Sequence, residues 1–239
     1  MPLIYSPLSD EVVNRPPTVL LPKHAFIMRQ IGAPPKVDAA IAKAVRSYLK
    51  SAGYAAIDAT GTTSGKDYLE RIIGLIRATG FTVAIFSEQT RSTTLANIAL
   101  ELGFAAMSGK PLIICKSKDA AAPSDLKRTD WIEFDASRPQ AFGKNFKLAL
   151  SDLPGLATLE RTLLDVALEA RSPDCAVALE RCNRGFLLTG EASFIRSAEQ
   201  ILSRITAYGD GGAINDLERL KSEIKTFVSQ AKASTRSRH

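Results

Sequence analysis

Cysteine and histidine are scarce in this sequence. The 239 residues include three cysteines, Cys115, Cys175 and Cys182, and two histidines, His24 and His239. The cysteines form neither a Cys-x-x-Cys pair nor an even-numbered disulfide framework, and two imidazoles are few for a zinc site or a serine–histidine triad. We therefore predict no metal site, and we expect any chemistry to depend on other side chains.

Long hydrophobic runs and a basic, then apolar, N-terminus are also missing. No apolar run approaches the roughly 18 residues that a membrane-spanning helix needs, and "MPLIYSPLSDEVVNRPPTVLLP" lacks the pattern of a secretion signal. The formal charge is +6, but most basic residues alternate with acidic ones along helices, which is typical of a solvated surface. These features predict a cytoplasmic globular protein with no membrane partner, and they argue against a nucleic-acid partner.

The sequence does contain an alternation of apolar strands and amphipathic helices. "HAFIMRQI" is typical of a buried strand, and "PPKVDAAIAKAVRSYLKSAG" places Val37, Ile41, Val45 and Leu49 on one helical face. Continued alternation predicts five strands, at residues 24–31, 54–60, 81–88, 110–117 and 131–135. Strands that alternate with helices favour a parallel sheet covered on both faces, so we predict a flavodoxin-like or Rossmann-like α/β layer.

The strand pattern stops near residue 155, and the remaining sequence is typical of helices. The predicted organisation is an irregular arm (1–22), an α/β domain (23–153), an all-helical domain (154–232) and a basic flexible tail (233–239). In the last helix an apolar seam recurs at three-four spacing, formed by Leu217, Leu220, Ile224, Phe227 and Ala231. This seam packs either on another helix of the same chain or on a second copy of the protein.

Polar residues stand at the ends of the first three predicted strands. Arg29 and Gln30 follow the first strand, Asp58 the second, and Ser87 and Glu88 the third. Ligands of open parallel sheets bind beyond the carboxyl ends of the strands, so these residues are candidates for a binding site. Ser87 is suited to bond ribose or phosphate. Arg29 is suited to hold a pyrophosphate, or to pair with an acid on a neighbouring loop.

The two acids in this set have alternative interpretations. Asp58 or Glu88 could handle a proton in catalysis, but Asp58 is also typical of a strand-end turn and Glu88 of a surface acid. No Gly-x-Gly-x-x-Gly or Walker sequence accompanies them, so tight cradling of phosphates is not predicted.

A single acid, Glu101, stands in the apolar helix that follows the third predicted strand. No other charge occurs from residue 95 to residue 107. At about 100° per residue, Thr94, Asn97 and Glu101 fall in one narrow stripe that runs toward the ligand edge. An acid in such surroundings has either a partner or a chemical role. Thr93, near the predicted helix start, either bonds ribose or phosphate or caps the helix.

The stretch "GKDYLERIIGLIRATGFTVAIFSEQTRSTTLANIALELGFAAMSGKPLII" resembles the core of a TIR domain. The shared features are an amphipathic helix, a strand ending in Ser, a helix with one Glu followed by small residues, and Gly-Lys-Pro before a strand. "NIALELGFAAMSGKP" is also similar to nucleoside 2-deoxyribosyltransferases and bacterial TIR-like domains, and Asn97 stands where many TIR enzymes have Trp. The resemblance covers roughly residues 24–150, and "DATGTTSGKD" corresponds to the BB loop that borders the nucleotide site.

The resemblance implies a TIR-like five-stranded sheet and hydrolysis of NAD, with NAD as substrate and no cofactor. Glu101 matches the family's catalytic glutamate. Nicotinamide leaves the cationic pyridinium as a neutral base, so one carboxylate near the developing ribosyl cation suits this reaction. The predicted nucleotide-binding residues are Arg29, Gln30, Asp58, Ser87, Thr93 and Asn97.

The resemblance also implies homo-oligomers, formed through the TIR-like domain and the C-terminal helices, and a role in bacterial antiphage defence. Two alternatives remain open. One is a deoxyribosyltransferase-like N-glycosidase acting on nucleosides or nucleotides, which needs a carboxylate nucleophile and a second group for the proton. The other is a TIR-like adaptor that binds a nucleotide or a protein without catalysis.

Overall fold

The structure is a computed structural model that describes residues 5–6, 11–12, 17, 19–60, 68–121, 131–135, 139–169, 174–207 and 214–236. The strands found there are β1 (Tyr5–Ser6), β2 (Glu11–Val12), β3 (Leu21–Met28), β4 (Ala55–Asp58), β5 (Thr79–Phe86), β6 (Leu112–Ser117) and β7 (Trp131–Phe134). The helices are α1 (Lys36–Ser51), α2 (Tyr68–Ala78), α3 (Ser92–Met107), α4 (Pro139–Glu169), α5 (Cys175–Thr189), α6 (Ala192–Ala207) and α7 (Ile214–Arg236). Among these described residues, no helix combines the length and the apolar character needed to cross a membrane.

The chain divides into two compact units. The first, here called the α/β unit, comprises Met1–Pro17 and Lys23–Ser151. The second, the helical unit, comprises Thr18–Pro22 and Asp152–His239. The α/β unit contains the central sheet, whose five parallel strands lie in the order β4-β3-β5-β6-β7. The predicted flavodoxin-like sheet followed by an all-helical region is therefore confirmed.

Helices cover both faces of the sheet because its strands are apolar on both sides. β5 is buried along its whole length. On one face α2 and α3 share a core with the strands, which includes Phe26, Phe86, Ile76, Ile98 and Leu102. α1 buries Ile41, Val45 and Leu49 in the layer that also receives the start of α4, where the ring of Tyr48 lies 6.1 Å from that of Phe146. The carboxyl edge of the sheet thus lies between two layers of helices.

Several predicted boundaries differ from those observed. The first strand begins at Leu21, three residues earlier than predicted, and ends at Met28, so Arg29 and Gln30 follow it. The arm at residues 1–22 was predicted to be irregular, but β1 and β2 form a short antiparallel pair there, with Tyr5 opposite Val12. Two-residue strands are too short to show a period of two in the sequence, which explains why the pattern gave no signal.

The predicted domain boundary near residue 154 lies inside α4. Pro154 lies inside this 31-residue helix and does not end it, although proline removes one backbone hydrogen-bond donor. The buried side chains Leu150, Leu153 and Ala157 flank the proline on both sides, so packing outweighs the local preference for a break. At the other end of the chain α7 continues to Arg236, and residues 233–236 of the predicted flexible tail are helical.

The helical unit packs α4, α5, α6 and α7 around a separate core. Leu164, Phe186, Phe194, Ile224 and Phe227 belong to it, and the rings of Phe186 and Phe227 meet edge to face at 5.9 Å. All of the predicted seam residues of α7 lie in or against this core. The seam of the last helix is therefore covered within the chain, which is the first of the two alternatives that the sequence left open.

Candidate active site at the carboxyl edge of the sheet

The strand order reverses between β3 and β5. From β3 the chain adds β4 on one side and then returns to add β5 on the other side. Such a reversal separates the two loops that follow the central strands and leaves a crevice at their carboxyl ends, where ligands bind in open α/β sheets. In this chain the two loops are residues 29–35 and 87–91.

Arg29 and Asp58 form an ion pair beside this crevice. The Nε and Nη2 atoms of Arg29 donate to Oδ2 of Asp58 at 3.1 and 2.9 Å. Arg46, on α1, donates to the same oxygen at 2.6 Å, and the backbone N–H of Thr60 donates to Oδ1 at 3.0 Å. Of the two roles considered for Arg29, the geometry shows the pairing with an acid.

Two guanidinium groups therefore surround one carboxylate. Burial by itself would raise the pKa of Asp58, but the hydrogen bonds from Thr60 and the charge of Arg29 together hold it below its usual value. The cluster of Arg29, Arg46 and Asp58 keeps an excess of one positive charge. Sequence reasoning missed Arg46, because it lies on the polar side of an amphipathic helix, where an arginine is ordinary.

Gln30 is buried and its amide group is fully engaged. Its Nε2 donates to the carbonyl oxygens of Ala33 at 2.7 Å and Gly32 at 3.1 Å. Its Oε1 accepts from the backbone N–H of Arg91 at 3.1 Å. Gln30 thus connects the loop after β3 with the loop after β5, across the crevice.

Asp38, in the first turn of α1, makes a second connection to the loop after β5, and sequence reasoning missed it. Thr90 Oγ1 donates to Asp38 Oδ2 at 2.8 Å, and the backbone N–H of Ser87 donates to Thr90 Oγ1 at 2.8 Å. Asp38 is 1% exposed, and its Oδ1 has no hydrogen bond of normal geometry in the described part of the chain. Burial raises the pKa of Asp38, while the hydroxyls of Ser87 and Thr90 oppose the rise and the charge of Glu88 adds to it.

The predicted candidates Ser87 and Glu88 are also engaged. Ser87 is buried, and its Oγ accepts from the backbone N–H of Gln89 at 3.2 Å. Ser117, at the end of β6, donates its hydroxyl to Glu88 Oε2 at 2.5 Å. This hydrogen bond is the largest reason why the pKa of Glu88 lies below its usual value.

The start of α3 differs slightly from the prediction. The helix begins at Ser92, and its N-cap residue is Arg91, which makes no side-chain capping bond. The proposed capping role of Thr93 is therefore wrong. Thr93 and Asn97 both have exposed side chains on the first two turns of this helix. Their polar groups are consequently available to a ligand.

Glu101 lies about two and a half turns from the start of α3. It is half-buried, and its carboxylate has neither a hydrogen bond nor an ion pair with any residue that the structure describes. Burial raises the pKa of Glu101 to about 7. A carboxylate with a raised pKa and no partner is typical of a catalytic acid or base, or of a group that waits for a cationic ligand.

Most of the predicted BB loop, residues 61–67, lies outside the described residues. Within those residues no group of His, Cys, Asp or Glu side chains is arranged to hold a metal ion. Among the predicted site residues, Thr93 and Asn97 expose their side chains, and Glu101 and the guanidinium of Arg29 are partly exposed. The guanidinium of Arg46 is also partly exposed.

A cavity of about 210 Å³ lies elsewhere, in the helical unit. Its walls include Pro154, Thr158, Arg161, Glu191 and Phe194. The guanidinium of Arg161 lies 4.3 Å above the ring of Phe194 and pairs with Glu191 at 2.9 Å, so its charge is already balanced. Ligand pockets usually measure about 300–1,000 Å³. We therefore place the candidate active site at the sheet edge, where the perturbed carboxylates lie, and not in this cavity.

Fold and site together define a class: a flavodoxin-like open sheet with a half-buried, unpartnered glutamate on the helix after the strand-order reversal. No protein-family model matches the chain, and no curated protein matches it in sequence.

Proposed function

We propose that the protein is a TIR-like hydrolase that cleaves the bond between nicotinamide and ribose in NAD, with Glu101 as its catalytic residue. The observation that carries this proposal is the state of Glu101, a half-buried carboxylate with no partner among the described residues and a pKa of about 7. The resemblance of residues 24–150 to TIR domains supports the choice of substrate.

The proposed reaction breaks the bond from the anomeric carbon of the ribose to the pyridinium nitrogen. The bond's electron pair stays with nicotinamide, which leaves as a neutral molecule and needs no general acid. Positive charge develops on the ribose, and water then adds there with loss of a proton, which gives ADP-ribose. Glu101 stabilises the positive charge because a carboxylate in surroundings of low dielectric interacts strongly with a nearby cation.

The raised pKa of Glu101 fits a cationic substrate. At neutral pH a carboxyl group with a pKa of about 7 is partly protonated. Binding of the positively charged nicotinamide ring favours the ionised form, so we expect it to lower this pKa and release the proton. Asn97 lies one helical turn before Glu101 and exposes its side chain, which suits hydrogen bonds to the ribose hydroxyls. The excess positive charge of Arg29 and Arg46 over Asp58 suits the diphosphate.

The pKa values of Asp58 and Glu88 favour hydrolysis of NAD over transfer between nucleosides. Transfer requires a group that gives a proton to a less activated leaving base. The acids predicted for this task, Asp58 and Glu88, both have pKa values below their usual range, because each accepts hydrogen bonds that favour the ionised form. Such groups are poor proton donors at neutral pH. NAD needs no such donor, so the site suits it better.

The resemblance supports two further parts of the proposal, activity as a homo-oligomer and a role in antiphage defence. The composition of the sequence supports a third part, a cytoplasmic location. The seam of α7 is covered within the chain, so contacts between copies require other surfaces. In the α/β unit, Leu100 and Met107 on α3 are each more than half exposed. These side chains are the apolar surface that α3 offers to such a contact.

The test is to incubate the purified protein with NAD and to measure nicotinamide release by the wild type and by the Glu101→Gln variant. Gln keeps the shape but not the charge, and losing one preorganised electrostatic contact commonly lowers kcat about 100- to 1000-fold. Below pH 7 the wild-type kcat/KM should fall about tenfold per pH unit as Glu101 becomes protonated. Glu218→Gln on α7, the same change at an exposed glutamate, is the matched control and should keep full activity.

Two outcomes would contradict the proposal. One is a wild-type protein that releases no nicotinamide from NAD at any concentration tested. The other is a Glu101→Gln variant that remains as active as the control. Base exchange with deoxynucleosides in place of NAD cleavage would favour the N-glycosidase, and inactivity toward both substrates would favour the adaptor.

A further inference from the structure

Two side chains fix the residues that precede α3. Thr90 is held by the carboxylate of Asp38 through the hydrogen bond of 2.8 Å. Arg91, the next residue, is held by Gln30 through its backbone N–H at 3.1 Å. α3 begins immediately afterwards at Ser92. Both anchors come from the segment after β3, so the helix that carries Glu101 is tied to the other side of the crevice at its first turn.

The anchor is itself a strained arrangement. Ala33 has a φ of 47°, in the left-handed region that non-glycine residues rarely adopt, and its carbonyl oxygen accepts the shorter hydrogen bond of Gln30, at 2.7 Å. Asp38 is a buried acid with one oxygen that lacks a hydrogen bond of normal geometry within the described residues. Both features oppose folding. Arrangements of this kind persist where they hold a functional group in place.

The alternative is that Asp38 serves as an ordinary helix-start acid. It occupies the first turn of α1, where a negative charge interacts favourably with the helix dipole. That role needs no burial, and it would leave the carboxylate facing water. Asp38 instead is almost completely buried and accepts a hydrogen bond from a residue 52 positions away. The connection to Thr90, and not the helix dipole, accounts for this location.

We propose that Asp38 and Gln30 are positioning residues that hold the first turn of α3, and through it Glu101, in the orientation required for catalysis. The proposal rests on the function proposed above. Its structural part, the anchoring of α3, can be measured without any activity.

The test uses Thr90→Val, which keeps the size of the side chain and removes the hydroxyl that Asp38 binds. Thr90→Ser keeps the hydroxyl and should restore the wild-type behaviour. The matched control is Thr79→Val at the start of β5, where the hydroxyl of a buried threonine donates to backbone oxygens of Leu75 and Ile76. Thr79 lies at the opposite end of β5, so this control reports loss of a buried hydroxyl without loss of the anchor.

Hydrogen exchange at the amide of Leu95, which bonds to the carbonyl of Arg91 in the first turn of α3, measures the anchor directly. We expect Thr90→Val to increase its exchange about tenfold or more, since a lost bond to a buried charged group opens the structure locally. Exchange at Ala105, late in the same helix, should change much less. In the activity assay Thr90→Val should lower kcat about tenfold and leave KM within about twofold, because positioning affects the reacting geometry more than binding.

The proposal is overturned if Thr90→Val and Thr79→Val increase exchange equally and throughout the unit, because Thr90 would then serve only stability. It is also overturned if Leu95 exchanges faster in Thr90→Val while kcat stays at the wild-type value. A wild-type protein without NAD cleavage would refute the proposed function instead. In that case unchanged exchange at Leu95 in Thr90→Val would refute the anchor as well. Faster exchange that is confined to the start of α3 would establish the anchor but not its proposed role in catalysis.

Discussion

Several acidic side chains of the helical unit have ion-pair partners that two acids of the α/β unit lack. In the helical unit Glu160 pairs with Arg181 at 3.1 Å, and Glu191 pairs with Arg161 at 2.9 Å. Further pairs join Glu180 with Arg184, Glu199 with Lys232, Glu218 with Lys221 and Glu223 with Arg219. At the edge of the α/β sheet, by contrast, Glu101 has no partner among the described residues and Asp38 has one oxygen without a normal hydrogen bond.

This difference separates stability from chemistry. Acids that already have a cation beside them gain nothing from a cationic substrate. An unpartnered carboxylate destabilises the folded protein, and a ligand that supplies the missing charge recovers that free energy. The unpartnered, perturbed carboxylates at the sheet edge therefore indicate where a ligand acts. The helical unit, whose apolar seam is covered and in which six glutamates form ion pairs, is suited to packing.

The largest expected effect is on the stability of the helical unit. Phe227 is buried in its core, edge to face with Phe186. We expect Phe227→Ala to lower the free energy of unfolding by about 3–5 kcal/mol, because the change removes buried apolar surface and leaves a cavity. Chemical denaturation followed by circular dichroism measures the loss. If the free energy of unfolding decreased by less than about 1 kcal/mol, this core would be loosely packed. The helical unit would then not be the part of the chain that is suited to packing.

The second effect concerns Glu101 and depends on pH. Its folded-state pKa of about 7 lies above the ordinary value of 4.5, so the folded protein binds the proton more tightly than the unfolded chain does. The stability gained in this way is complete below pH 4.5 and is lost as the pH rises through about 7. At about 1.36 kcal/mol per pKa unit, the loss amounts to about 3 kcal/mol at most.

Glu101→Gln should therefore be more stable than the wild type at pH 8 and nearly equal to it at pH 4, where the carboxyl group is protonated. Thermal unfolding of both proteins at the two pH values measures this difference. Glu218→Gln, at an exposed residue, should show no comparable gain. A wild type that is more stable than Glu101→Gln at pH 8 would show that the carboxylate has a stabilising partner, and the contrast drawn between the units would be wrong.

The sequence predicted the sheet well because its strands differ strongly from its helices. β5 and β6 are mostly apolar and almost completely buried, which is typical of central parallel strands, and the helix between them is rich in apolar and small residues. The sequence also indicated the partial burial of Glu101, because no other charged residue lies near it in α3. The predicted domain boundary at residues 153/154 lies two residues from the division between Ser151 and Asp152, although α4 continues through it.

The connections across the crevice were not predictable from one sequence. Asp38 is an acid in the first turn of a helix, which is ordinary at that position, and its burial results from a contact with Thr90 that only the folded chain creates. Arg46 likewise belongs to a helix with a polar face, and its bond to Asp58 depends on the pairing of β4 with β3. Local patterns report the burial of a whole face, whereas these contacts join residues that are far apart in the chain.

The smallest effect compares one glycine from each unit. Gly103 lies within α3, and a Cβ atom added there would have no atom within 4 Å. Gly185 lies within α5, and the same atom would lie 2.2 Å from the ring of Phe194. We expect Gly103→Ala to stabilise the protein by about 1 kcal/mol, since alanine favours the helix and meets no obstacle. Gly185→Ala should be destabilising by about 1–3 kcal/mol, because the ring must move in a packed core.

Denaturant midpoints of the two variants measure these opposite changes, and both variants should be compared with Gly74→Ala in α2, where the added atom also meets nothing within 4 Å. If Gly103→Ala and Gly74→Ala stabilise alike, Gly103 has no role that the intrinsic helix propensity does not explain. If Gly103→Ala alone fails to stabilise the protein, an added methyl group on this face of α3 meets something outside the described contacts. The exposed side of α3, the helix that carries Glu101, would then be more crowded than the described residues show.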